Sequence, residues 1–95
     1  MKMNKEKFLK SELGSSMIEC AKSWDNALKL MNNTDFCSKE FKVGNREAMW
    51  CQAQMEVYKM AVRQFYGIHY CFAHTDKCFG ICTEDGTDWL FKIER

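Results

Sequence analysis

Leu13, Met17, Ala21, Trp24, Leu28 and Met31 recur at spacings of three and four residues, while Glu19, Lys22, Asp25, Asn26 and Lys29 fall between them. That pattern predicts one amphipathic helix from about Ser11 to Asn32, with a single apolar stripe and Asp25 on the polar side. Gly14 is its weak point. Ser15 offers a cap for a fresh start there, which would leave residues 4–13 as a separate turn.

A second periodic segment is expected to begin at Asn45, a good N-cap after Gly44, with Glu47 in the first turn, where negative charge suits the helix dipole. It stops at Gly67, placed as a helix C-terminal glycine should be. At about 100° per residue, Trp50, Cys51, Ala53, Met55, Val57, Tyr58, Met60, Ala61, Val62, Phe65 and Tyr66 cover roughly two-thirds of its circumference. Gln52, Glu56, Lys59 and Arg63 form the polar strip. A helix this apolar needs partners on more than one side, so it is expected to lie between the first helix and another layer. Residues 34–44 join the two helices, with Phe41 and Val43 as a short strand or a cover for the core edge.

The pattern then changes period. IHYCFAHT, CFGICTE and DWLFKIER are β-prone runs, punctuated by Thr75-Asp76-Lys77 and Asp85-Gly86-Thr87 as tight turns. Alternation puts Ile68, Tyr70, Phe72, Phe79, Ile81, Trp89, Phe91 and Ile93 on a buried face. His69, Cys71, Ala73, Cys78, Gly80, Cys82, Leu90 and Lys92 take the outward face. The expected architecture is a single α+β domain over residues 1–95: two helices followed by a three-stranded antiparallel β-meander packed on the second helix. Its core should hold Trp50, Val57, Ala61, Phe72, Ile81 and Phe91.

Composition narrows the function. Ninety-five residues suit one domain with a modest core, and 46% hydrophobic with 28% charged residues is globular. The formal net charge of +1 gives no field that favours nucleic acid or an anionic membrane, so direct nucleic-acid binding is disfavoured. The opening MKMNKEKFLK is locally basic. No run approaches the roughly 20 apolar residues of a membrane span. The N-terminus lacks the apolar stretch of a secretory signal, so the expected compartment is a cytoplasm, whose reducing conditions count against disulfides among the six cysteines.

The stretch HYCFAHTDKCFGIC, residues 69–82, concentrates two histidines and three cysteines. Zinc needs about four N or S ligands within roughly 2.0–2.3 Å of one point. Cys78 and Cys82 stand about 13 Å apart in a regular strand and cannot share an ion. If Phe72 faces Ile81, then Cys71 faces Cys82 with His69 on the same face, giving three candidate ligands. His74 and Cys78, combined with Cys37 from the inter-helix loop, are the alternative trio. The plainer reading makes Cys20 and Cys51 small core residues and the hairpin cysteines half-buried thiols, with no bound cofactor. A Cys–His nucleophile is disfavoured, because no orienting third group or oxyanion donor pair accompanies His69 and Cys71. Glu84, Asp85 and Asp88 form an acidic tip, far along the middle strand from Asp76.

Residues 49–95, on Trp50, Gln54, Phe65-Tyr66-Gly67, Thr75-Asp76, Gly80 and Asp88-Trp89-Leu90, resemble a group of short uncharacterised proteins carried by bacterial mobile elements and phages. The cysteines are outside that pattern, and the resemblance supplies no catalytic residues. It implies a non-enzymatic protein-binding module similar to the anti-CRISPR inhibitors: a stoichiometric inhibitor of a host defence protein, an RNA-guided nuclease in its sharpest form. The alternative is a structural or regulatory accessory protein of a conjugative element, stabilised by zinc. Partner contact is expected at Asp76, Lys77, Glu84, Asp85 and Asp88, with Leu90 as an exposed apolar anchor.

Overall fold

Side-chain caps decide where the helices begin. Asn4 accepts a hydrogen bond from the Lys7 amide, Ser11 from Gly14 and Ser38 from Phe41, each satisfying a donor that the first turn leaves unpaired. In the computed structural model, which describes residues 4–94, these caps open α1 (Lys5–Lys10), α2 (Glu12–Asn32) and α3 (Lys39–Tyr66). The short α1 occupies the segment expected as a turn, and its partition from α2 falls at Ser11, not Ser15. Gly14 is buried against α1, where an added Cβ would collide with the Phe8 carbonyl.

The second long helix is the larger correction. It starts at Ser38, so Asn45 is no cap, and Phe41 and Val43 are helical, not a strand or loop. Gly44 is a contact glycine and not a punctuation mark. A Cβ there would come within 2.9 Å of Met31 Cγ and 3.2 Å of the Ala27 carbonyl oxygen, so its absence lets α3 approach α2 closely. Gly67 does end the helix as expected, with φ 70° and its amide bonded to the Arg63 carbonyl at 2.8 Å.

Met17, Cys20 and Ala21 of α2 meet Cys51, Met55 and Val62 of α3 in one buried cluster, closed by Phe8 of α1 and by Tyr70, Ile81 and Leu90 of the sheet. Phe8 meets Tyr66 edge-on at 5.5 Å, so the small helix seals the far end of α3. Ala61 is half-buried, whereas Trp50 and Val57, expected in the core, are each 64% exposed.

β1 (Tyr70–His74), β2 (Cys78–Thr83) and β3 (Trp89–Glu94) form one antiparallel meander in the order β1-β2-β3. Phe72 pairs with Ile81 and Cys71 with Cys82, the expected register. The sheet packs on both long helices. Phe72 stacks on Trp24 of α2 at 4.4 Å, and Lys22 reaches the Phe91 ring at 6.0 Å. Strict alternation fails in β3. Ile81 pairs with Phe91 but Cys82 pairs with Trp89, leaving Leu90 as the extra residue of a bulge. Trp89 therefore shares the face of Cys71 and Cys82, with its indole N–H donating to the Gly86 carbonyl at 3.1 Å. Leu90, expected outside, is 4% exposed and belongs to the core. Ile93, expected inside, is 37% exposed.

Candidate functional site

The hairpin does not bring the first candidate zinc trio to one point. Cys71 faces Cys82, but Cys82 is buried and His69 is exposed. Burial pushes the Cys82 thiol up from its ordinary value, and neighbouring Cys71 and Cys78 add to the shift. In the second trio, His74 lies at the Phe79 register position on the helix-facing side, while Cys37 is exposed in the α2–α3 connection with φ 68°. Among the described residues, no three His, Cys, Asp or Glu side chains converge to hold a metal ion. Cys20 and Cys51 are core residues, as the plainer reading had them. The Cys20 Sγ lies 3.3 Å from the Cys51 carbonyl, and burial, reinforced by Cys51, raises its thiol to about 11.

The polar tips serve the turns before any partner. Asp76 and Lys77 are exposed between β1 and β2, where Thr75 Oγ1 accepts from the amides of Lys77 and Cys78 at 3.3 and 3.1 Å. Glu84 and Asp85 are exposed between β2 and β3. Asp85 accepts from the Thr83 hydroxyl at 2.6 Å, the Thr87 amide at 3.1 Å and the Thr87 hydroxyl at 2.8 Å. Those donors, Thr83 first, lower its carboxyl to about 2. Asp88 pairs with Lys5 of α1 and lies 3.4 Å from the Tyr70 hydroxyl, which fastens α1 to the sheet. Asp76, Lys77 and Glu84 remain open to a partner, Asp85 and Asp88 are largely committed to contacts within the chain, and Leu90 is withdrawn into the core.

One charged constellation is absent from the pattern-based reading. Asp25, assigned above to the polar side of its helix, is 2% exposed. Its carboxylate oxygens lie 3.2 Å from Lys29 Nζ and 3.1 Å from His74 Nε2, so a buried anion links α2 to the last residue of β1. The signal was present: Asp25 follows Met17 and Ala21 at steps of four, and His74 follows Tyr70 and Phe72 at steps of two. Both positions therefore point inward. His74 also borders a 480 Å³ groove with Trp24, Phe72, Met49 and Gln52.

The largest departure from a satisfied surface is on α3. Met49, Trp50, Ala53, Val57 and Met60 fall within an arc of about 100°, on the side away from Ala48, Cys51, Met55 and Val62. Met49, Trp50, Val57 and Met60 are each between 63% and 69% exposed. The sheet and α2 cover one side of this helix, and nothing among the described residues covers the other. At its N-terminal end a 660 Å³ groove runs between Cys37, Phe41, Arg46, Met49, Trp50 and Ala53. The sequence carried this signal in the two-thirds apolar circumference; what it hid was which half is covered. No helix among the described residues is long and apolar enough to cross a membrane. The chain matches no protein-family profile, no curated protein and no solved structure.

Proposed function

We propose that this protein works by occupancy, as a non-enzymatic protein-binding module. The observation that supports this reading is the outer face of α3: four large apolar side chains in one arc, mostly exposed, over a core that is already closed. A contiguous apolar patch of this kind marks a contact site on a soluble domain. Asp76 and Glu84, exposed in the two hairpin turns, add acidic contacts for a basic target. The sharper form of the proposal, motivated by the resemblance of residues 49–95 to mobile-element proteins, is a stoichiometric inhibitor of a host defence nuclease, RNA-guided in kind. Such nucleases carry strongly basic nucleic-acid channels, which the acidic turn would approach favourably.

The test is a titration of an RNA-guided nuclease at concentrations above the dissociation constant. An occupancy inhibitor stops cleavage at a fixed molar ratio and shows no turnover. Reversing the exposed Glu84 to Lys should weaken inhibition with the fold intact. Progressive inactivation by substoichiometric protein would reveal an enzyme and refute the reading. If no RNA-guided nuclease responds at any ratio, the role of an accessory protein of a conjugative element takes its place.

A further inference from the structure

We infer that the outer face of α3 is a homodimer interface, in which two copies of the chain pack α3 against α3 in antiparallel orientation. This rests on the reading of that face as a protein-contact surface and names its occupant. Three observations choose a second copy.

The first is area. Weighted by side-chain size, the exposed parts of Met49, Trp50, Val57 and Met60 present about 500 Å² of apolar surface. A standard interface removes about 800 Å² per partner, and homodimer interfaces are about 65% apolar, which requires roughly the same 500 Å². The patch is thus sized for one helix of its own kind.

The second is self-complementarity, the condition for a two-fold contact. Around a dyad beside Ala53 and Gln54, antiparallel helices place Trp50 against Val57 of the partner subunit and Met49 against Met60 of the partner subunit, with the reciprocal pairs generated by symmetry. Ala53 is the small residue at the centre of the arc, where close approach of two helix backbones needs one. A large residue there would hold the helices apart.

The third is charge. Arg46 lies in line with the apolar arc and Gln64 near its other end. In an antiparallel pair the two Arg46 side chains sit at opposite ends, about 20 Å apart at 1.5 Å per residue, and the two helix dipoles oppose. A parallel pair would juxtapose the two arginines and align the dipoles. Antiparallel packing is therefore the favoured arrangement. It leaves the hairpin turns of both copies on the outside of the dimer.

Sedimentation equilibrium of the full chain at about 100 µM, well above the micromolar constants common for interfaces of this size, should give the mass of two chains. Val57→Glu and Trp50→Lys should each give the mass of one, weakening association at least about 30-fold, with an unchanged far-UV circular dichroism spectrum. Mixing the two variants should restore a dimer, because one contact keeps Trp50 against Val57 and the other sets Lys against Glu. A wild-type chain that stays monomeric at that concentration overturns the inference. If it still inhibits a nuclease in a manner abolished by Val57→Glu, the protein-contact reading survives with a different occupant. If the monomer instead binds anionic vesicles through Trp50, the face belongs to a lipid surface and both fail. A dimer insensitive to Val57→Glu, or variants that do not rescue each other on mixing, would also refute this interface.

Discussion

Removing the carboxylate of Asp25 and the imidazole of His74, singly and together, measures what the buried charge contributes. Asp25 is 2% exposed, with His74 Nε2 and Lys29 Nζ at 3.1 and 3.2 Å. A hydrogen bond to a charged group is worth about 1.5–3 kcal/mol, and breaking one partner of a buried set exposes the other to the full desolvation penalty. The Lys29 side chain is 50% exposed, so its contribution is screened and it rehydrates when released. Most of the effect therefore resides in the Asp25–His74 contact. His74→Phe should cost about 2 kcal/mol, because the buried carboxylate loses its contact with the imidazole. Asp25→Leu should cost a similar amount, because the imidazole loses its buried oxygen partner. Asp25→Leu with His74→Phe should cost clearly less than the sum, with a coupling of about 1.5–3 kcal/mol, because two apolar side chains fill the space without an orphaned charge. Urea unfolding followed by circular dichroism reads all four corners of the cycle, provided the slope stays constant. In thermal melts each kcal/mol appears as about 4–8 °C for a domain of this size. Additive costs would mean that the contact does not exist in solution. A single His74→Phe loss under about 0.5 kcal/mol would mean that Asp25 does not depend on the imidazole.

Two substitutions five residues apart on α3 should separate its faces: Met55→Ala, at 1% exposure, should lose about 2–5 kcal/mol, whereas Trp50→Ala, at 64%, should leave the stability of the isolated fold within about 0.5 kcal/mol in a dilute urea titration. Asp85 has a folded carboxyl lowered to about 2 against an ordinary value of 3.8, so its contribution is complete above pH 4 and fades as pH falls towards 2; a carboxyl-carbon NMR titration should show this, and Thr83→Val should move its midpoint upward. Thiol alkylation followed by mass spectrometry should modify the exposed Cys37 first and the buried Cys20 and Cys51 last, since burial raises both of the latter. Rapid labelling of Cys20 in the native protein would contradict the packing of α2 on α3.

The sequence by itself determined the order and type of the main elements. The 3.6-residue stripe of α2, the Gly67 stop and the two-residue alternation of β1 and β2 are local periodicities, and each is imposed by backbone geometry whatever lies nearby. The register that sets Cys71 against Cys82 followed from the same alternation and the short turn between the strands. Tertiary structure decided the rest, because it depends on what approaches from outside the element. Gly44 is identical in sequence whether it ends a loop or admits a neighbouring helix, and only the nearness of Ala27 and Met31 makes it the latter. Leu90 turned inward because a bulge opposite Cys82 broke a period that the residues of β3 alone do not reveal. Asp25 stands at an inward step of the α2 stripe, but its partner is legible only once His74, almost fifty residues later, is brought to its oxygens. The outer face of α3 is the same case reversed. Trp50 and Val57 carry every local mark of core residues, and they are exposed because burial requires a second surface, which none of the described residues folds against them.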